Sequence, residues 1–275
     1  MNALREMFTD WPDPRECTIK SGRSRTYATP QGEFGSVTTF LKVLGTSTDA
    51  LVKWSANEER KAVLEACGEV YAAATAENPP EFVAAVEARI GPARSHQKML
   101  SKAADIGSEI HEMIQWTLRS QLGEDAGPRP ALQDQALWAF MSWEDWWKNS
   151  GLVPVRVEQP IWHAGIGYAG TIDLIAMGPL GLEVLDWKSG KGIYESYHLQ
   201  VAAYRHAAEQ WAPITRCRIV RVPKTIGDPD FDVAEHGHLY GGRRMDQHEM
   251  MAAFEACVLL WNALMKPVPT GKEKR

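Results

Sequence analysis

The chain of 275 residues carries 30 Lys and Arg against 35 Asp and Glu, a net charge of -5, with 44% hydrophobic and 24% charged residues. That composition excludes a disordered or fibrous chain, and the length suits one large domain or a domain with an accessory lobe. No apolar run approaches the roughly 20 residues needed to cross a bilayer, and acids and prolines interrupt the N-terminal MNALREMFTDWPDP where a secretory leader needs an apolar stretch, so a cytoplasmic chain is expected.

The acidic balance argues against coating nucleic acid through bulk positive charge, but it is compatible with a carboxylate-rich site beside a narrow basic groove. Cys17, Cys67, Cys217 and Cys257 form no C-x-x-C pair, so reduced, buried thiols are expected rather than zinc, an iron-sulfur cluster or a redox couple.

In chain order, residues 15–45 read as a hairpin leading into a helix, with a hydroxyl of Ser36, Thr38 or Thr39 as the cap. Apolar residues at helical spacing predict helices over 49–76, 81–90, 94–122 and 131–149, separated by Pro79-Pro80 and by a Gly, Pro and acid-rich loop over 123–130. The N-terminal half is therefore expected to be nearly all helix. From Gly151 the period changes to two: 153–161, 167–177 and 180–187 predict a three-stranded meander. A helix over 194–211, a strand over 216–222, a short strand near 231–234 and a closing helix over 245–265 complete the order, with an unstructured tail from 270.

The densest chemistry spans residues 170–204. Gly170-Thr171-Ile172-Asp173 ends in an acid on one expected strand, and Asp186-Trp187-Lys188 closes the next. Alternation puts Asp186 and Lys188 on one side of the sheet and Glu183 on the other, as a structural acid. Carboxylates on neighbouring strands make a hard-oxygen pocket suited to Mg²⁺, with Mn²⁺ as a substitute, and a lysine ammonium can hold an attacking water or a phosphate oxygen. Charges that interrupt apolar strands are costly unless paired or bound to metal.

This G-x-x-D, D-x-K pattern, followed by Gln200-Val201-Ala202-Ala203-Tyr204, resembles the PD-(D/E)xK nuclease superfamily, in particular its RecB-like branch of phage-type, mitochondrial genome maintenance and CRISPR-associated exonucleases. Ile172 in place of Pro and Asp186 in place of Glu are usual in that branch. The resemblance implies a restriction-endonuclease-like α/β core, a mixed central sheet flanked by helices in the order αβββαβ, occupying 93–266 after a mostly helical portion over 1–92 and before a flexible tail over 267–275. It implies Asp173, Asp186 and Lys188 as catalytic residues, and a metal held by Asp173, Asp186, the Trp187 carbonyl and His111. That histidine closes a G-x-x-x-H sequence on the upstream helix, and no second histidine follows to make the zinc-peptidase H-E-x-x-H.

Gln200 and Tyr204, one helical turn apart, would brace the site and contact the strand. Glu158 has two readings, as an acid beside the metals or as the partner of Arg156 on the same strand face. Ser36-Val37-Thr38-Thr39-Phe40-Leu41 and Leu51-Val52-Lys53-Trp54 also look like phage-encoded members. The implied activity is metal-dependent DNA hydrolysis, an exonuclease of recombination, repair or phage DNA processing acting at a free end, with a recombination or replication protein as a conceivable partner. An endonuclease of the same superfamily and a non-cleaving binding module are the alternatives. Arg89, Arg94, Lys98, Lys102, Arg216, Arg218, Arg221 and Lys224 are candidate phosphate contacts. His236-Gly237-His238 reads as a loop. Most of the eleven tryptophans, including Trp138, Trp143, Trp146 and Trp147 on one helix, are expected to pack in the core.

Overall fold

The computed structural model describes residues 10–22, 24–45, 48–73, 78–91, 95–190, 192–223, 232–235 and 244–264. It divides into two compact units, Met1–Leu44 with Glu109–Arg275, and Gly45–Ser108. The first 44 residues thus group with the sheet rather than with the helices that follow them.

The first unit is built on one mixed sheet. Its eight described strands are β1 (Thr18–Lys20), β2 (Thr26–Thr29), β3 (Gly32–Ser36), β4 (Val153–His163), β5 (Tyr168–Gly178), β6 (Gly181–Lys188), β7 (Ile214–Arg221) and β8 (Asp232–Glu235). They run in the order β1-β2-β3-β5-β6-β7-β8, and β4 pairs with β5 outside that path. The β3–β5 and β6–β7 pairs are parallel and the others antiparallel. The hairpin expected within residues 15–45 is found as three short strands paired antiparallel, one strand more than a hairpin needs. Each is three to five residues long, too short for a strong period-2 signal, and β3 is completed by pairing with β5 far along the chain.

Ser36 ends β3 and caps α1 (Val37–Phe40) by accepting the Thr39 N–H at 3.0 Å. The later helices of this unit are α4 (Ser95–Gln121), within which the unit boundary falls, α5 (Asp134–Asn149), α6 (Glu195–Ala208) and α7 (Gln247–Leu264). A parallel β6–β7 pair needs a crossover, and α6 supplies it. Against one sheet face α6 and α7 bury Tyr168, Ile172, Val184, Val201, Ile219 and Phe254, all fully buried. Each such aliphatic side chain contributes about 1.5–3 kcal/mol. On the other side of β6, Trp187 meets Trp143 and Trp146 of α5 edge-on, with ring centroids 5.8 and 6.1 Å apart. Helices therefore flank the sheet on both faces.

The second unit contains α2 (Thr48–Ala72) and α3 (Pro79–Ile90), closed by Ala66, Val70 and Val86 with Cys67, Phe82, Ala85 and Ile90 packed around them. Asn78 caps α3 through the Glu81 N–H. All four cysteines are free, Cys217 and Cys257 buried. Among the described residues no helix is long and apolar enough to cross a membrane. The expected tail over 267–275 lies outside the described residues.

Candidate active site

Backbone pairing sets where the sheet opens. One edge of β5 pairs along its length with β4, from Val153↔Met177 to His163↔Tyr168. The other edge is shared, since β3 takes Tyr168 and Ala169 while β6 takes Leu174 to Gly178. Residues 170–173, the G-x-x-D segment, therefore lie at a fork between β3 and β6. One step beyond the last β5–β6 pair, Leu174↔Leu185, Asp173 comes opposite Asp186.

In place of a continued ladder, the Asp173 Oδ2 accepts the Trp187 N–H at 2.8 Å. The N–H and C=O of a strand residue point to the same edge, so the Trp187 carbonyl is also aimed at the fork. Asp186 is 1% exposed; its Oδ1 accepts from Gln200 Nε2 at 3.0 Å, and its Oδ2 lies 2.5 Å from Lys188 Nζ. Gln200 gives its second amide hydrogen to the Tyr204 hydroxyl at 2.9 Å. His111, on α4, stands with Nδ1 4.0 Å from Asp173 Oδ2. On β4, Glu158 falls between the pairs Val157↔Leu174 and Gln159↔Ile172, opposite Asp173, and adopts a φ of 51°. Positive φ in a residue with a side chain is sparsely populated and tends to mark functional positions.

Three carboxyl groups so placed repel one another in a buried setting. Burial, reinforced by Asp173, raises the Glu158 carboxyl to about 8, against the opposing pull of Arg119 and Arg25. Burial raises Asp186 to about 6, with Lys188 holding it down and Asp173 pushing it up. Asp173 is raised by burial and moderated by Lys188 and the Trp187 N–H. Lys188 is pulled down by burial, but Asp186 and Asp173 outweigh that and keep the ammonium charged. Its Nζ also sits 4.8 Å from the centroid of the Tyr197 ring.

Hard divalent metal suits this donor set. Asp186 Oδ2 is buried, and the Lys188 ammonium 2.5 Å away offsets its charge. A cation among Asp173, Asp186 and the Trp187 carbonyl would relieve the carboxylate repulsion, with His111 beside Asp173 to complete the set. Among the described residues no three His, Cys, Asp or Glu side chains already form a metal cage; the fold supplies two acids, a carbonyl and a nearby imidazole.

Every expected site residue lies in the first unit around this fork. Gln200 and Tyr204 are 6% and 5% exposed; Gln200 holds Asp186 and Tyr204, and Tyr204 also lies against Gly170 within the main core. Glu183 faces away and forms a buried ion pair with Arg218, at 2.5 and 3.1 Å. Among the candidate phosphate contacts, Arg218 is thus engaged, Arg221 donates to the Gly190 carbonyl at 3.5 Å and Arg89 pairs with Glu69 in the second unit. Arg94, Lys224, His236 and His238, and the side chains of Lys98 and Lys102, lie outside the described residues.

Sequence reasoning missed Arg25, Arg119 and Tyr27. Arg25 and Arg119 bear on Glu158 electrostatically, and the Tyr27 hydroxyl meets Thr171 Oγ1 at 3.0 Å. Tyr27 and Thr171 are separated by 144 positions, and no local pattern announces such a contact.

The fold and site thus define a mixed α/β protein with a buried acid and lysine cluster at a split in its central sheet. Comparison with protein families and with curated proteins returns no match. Among solved structures, the one called "Crystal structure of SSO0001" is 13% identical over 46% of this chain, with a TM-score of 0.28, and the chain spans 58% of that protein's length. At that similarity the likeness assigns no activity.

Proposed function

We propose that the chain is a metal-dependent deoxyribonuclease with a restriction-endonuclease-like core, acting as an exonuclease in recombination, repair or phage DNA processing. The observation that carries this reading is the meeting of Asp173, Asp186 and Lys188 at the fork, with Asp186 braced by Gln200. Bound there, Mg²⁺ or Mn²⁺ supplies Lewis acidity toward the phosphate and the attacking water.

The chain's own residues do the rest. Asp173, fixed by the Trp187 N–H, and Asp186, fixed by Gln200, offer carboxylate oxygens that need no reorganisation when substrate arrives. The Lys188 ammonium donates to the attacking water or to a phosphate oxygen, which places positive charge where negative charge builds. Trp143 and Trp146 pack behind Trp187 and hold the strand that carries both Asp186 and Lys188.

Digestion of end-labelled linear DNA beside a covalently closed circle, with Mg²⁺ or Mn²⁺, tests the reading. Loss of linear DNA alone supports an exonuclease, and cutting of the circle makes the protein an endonuclease. Failure to cut any substrate removes the enzymatic reading.

A further inference from the structure

Beside the acid cluster, the start of α6 carries an aromatic pair that the proposed hydrolysis does not use. Tyr197 receives the Lys188 ammonium over its ring at 4.8 Å and packs against the main core. Tyr194 meets Tyr197 edge-on, with centroids 5.4 Å apart and ring planes at 76°. Unlike Tyr197, Tyr194 is 49% exposed. As the N-cap residue of α6 it makes no side-chain cap bond. Its backbone is nonetheless fixed, because its carbonyl accepts the Tyr197 N–H at 2.9 Å. A large ring at the surface thus lies one aromatic contact away from the lysine that would meet a phosphate.

The geometry points to Tyr194 as the platform on which a nucleobase next to the scissile phosphate stacks, with Tyr197 as the positioning residue that holds both the platform and the Lys188 ammonium. This rests on the nuclease reading and deepens it. Every base has a π-face, so the platform is tolerant of sequence, but only an unpaired, unstacked base can reach it. The site is thereby committed to single-stranded DNA or to a frayed end.

The test measures binding of a fluorescein-labelled oligothymidylate, and of the same backbone with abasic sites, by fluorescence anisotropy with Ca²⁺ in place of Mg²⁺. The proteins are the full chain, Tyr194→Phe and Tyr194→Leu. Expected is an oligothymidylate affinity about tenfold weaker in Tyr194→Leu, the size of one lost base stack, with Tyr194→Phe close to the unsubstituted chain. Abasic DNA should bind all three alike. Equal weakening of both oligonucleotides by Tyr194→Leu, or none, overturns the platform. Thermal melting of the variants checks folding, which an exposed side chain should leave unchanged. If the unsubstituted chain binds neither oligonucleotide, the platform falls, and the nuclease reading falls with it only if linear duplex DNA is also left uncut. If it binds and cuts DNA without any base dependence, the platform alone falls.

Discussion

The ring of Tyr204 lies against Gly170 so closely that a Cβ added at Gly170 would fall 2.5 Å from Tyr204 Cε1. The glycine of G-x-x-D and the tyrosine of Q-x-x-x-Y are thus two halves of one contact. Tyr204 in turn receives a hydrogen bond from Gln200, which holds Asp186.

Gly170→Ala is therefore predicted to push the Tyr204 ring away and to destabilise the chain by about 1–3 kcal/mol, the usual effect of overpacking a filled core. Urea unfolding checks this. Combining Gly170→Ala with Tyr204→Ala should give a loss smaller than the sum of the two single losses, because the second change makes room for the first. Additive losses would mean that the two residues are not in contact.

Gln200→Leu removes the donor to Asp186 Oδ1. A hydrogen bond to a carboxylate favours its charged form, so the Asp186 carboxyl, already raised to about 6, should rise further. Metal-dependent cleavage should then fall more steeply at pH 6 than at pH 8.5, with the acid limb of the pH profile moved upward. A loss equal at both pH values would indicate a packing defect alone.

Glu183 and Arg218 form a buried pair outside the fork. Arg218→Met strands the Glu183 carboxylate and is expected to destabilise by about 3–5 kcal/mol in urea unfolding. Adding Glu183→Gln should recover most of that. Cleavage per folded molecule should stay within about twofold in the double variant, which separates this structural acid from Asp173 and Asp186.

Glu158 gives a pH signature in the metal-free chain. Its carboxyl is raised from an ordinary 4.5 to about 8 in the folded protein. The folded state therefore holds this proton more tightly than the unfolded one, and the associated stability is complete below about 4.5 and lost as pH rises through about 8. With chelator present, Glu158→Gln should melt close to the parent at pH 4.5 and above it at pH 8.5. Equal melting temperatures at both pH values would place Glu158 outside the buried cluster.

Much of this site is legible in the sequence because strand alternation makes a buried charge conspicuous. Asp186 and Lys188 interrupt an apolar run, and the i, i+4 spacing of Gln200 and Tyr204 puts both on the helix face that meets them. The meander over 153–188 and the helices after it fall close to their expected bounds for the same reason. Other parts depend on long-range pairing. β3 joins β5 through only Gly35↔Tyr168 and Ser36↔Ala169, yet that short contact makes one arm of the fork and brings Tyr27 and Arg25 to the acids. The positive φ of Glu158, between two regular β4–β5 pairs, leaves no mark in residue type.

The central claim is that Asp173, Asp186 and Lys188 act together as a divalent-metal phosphodiester site. The most direct measurement is the rate of nucleotide release from end-labelled linear DNA in Mg²⁺ by the chain and by Lys188→Ala, at matched folded concentration. The account predicts release that stops with chelator and falls about 100-fold or more in Lys188→Ala. Release that persists in chelator, or that Lys188→Ala carries out at the parent rate, would contradict it.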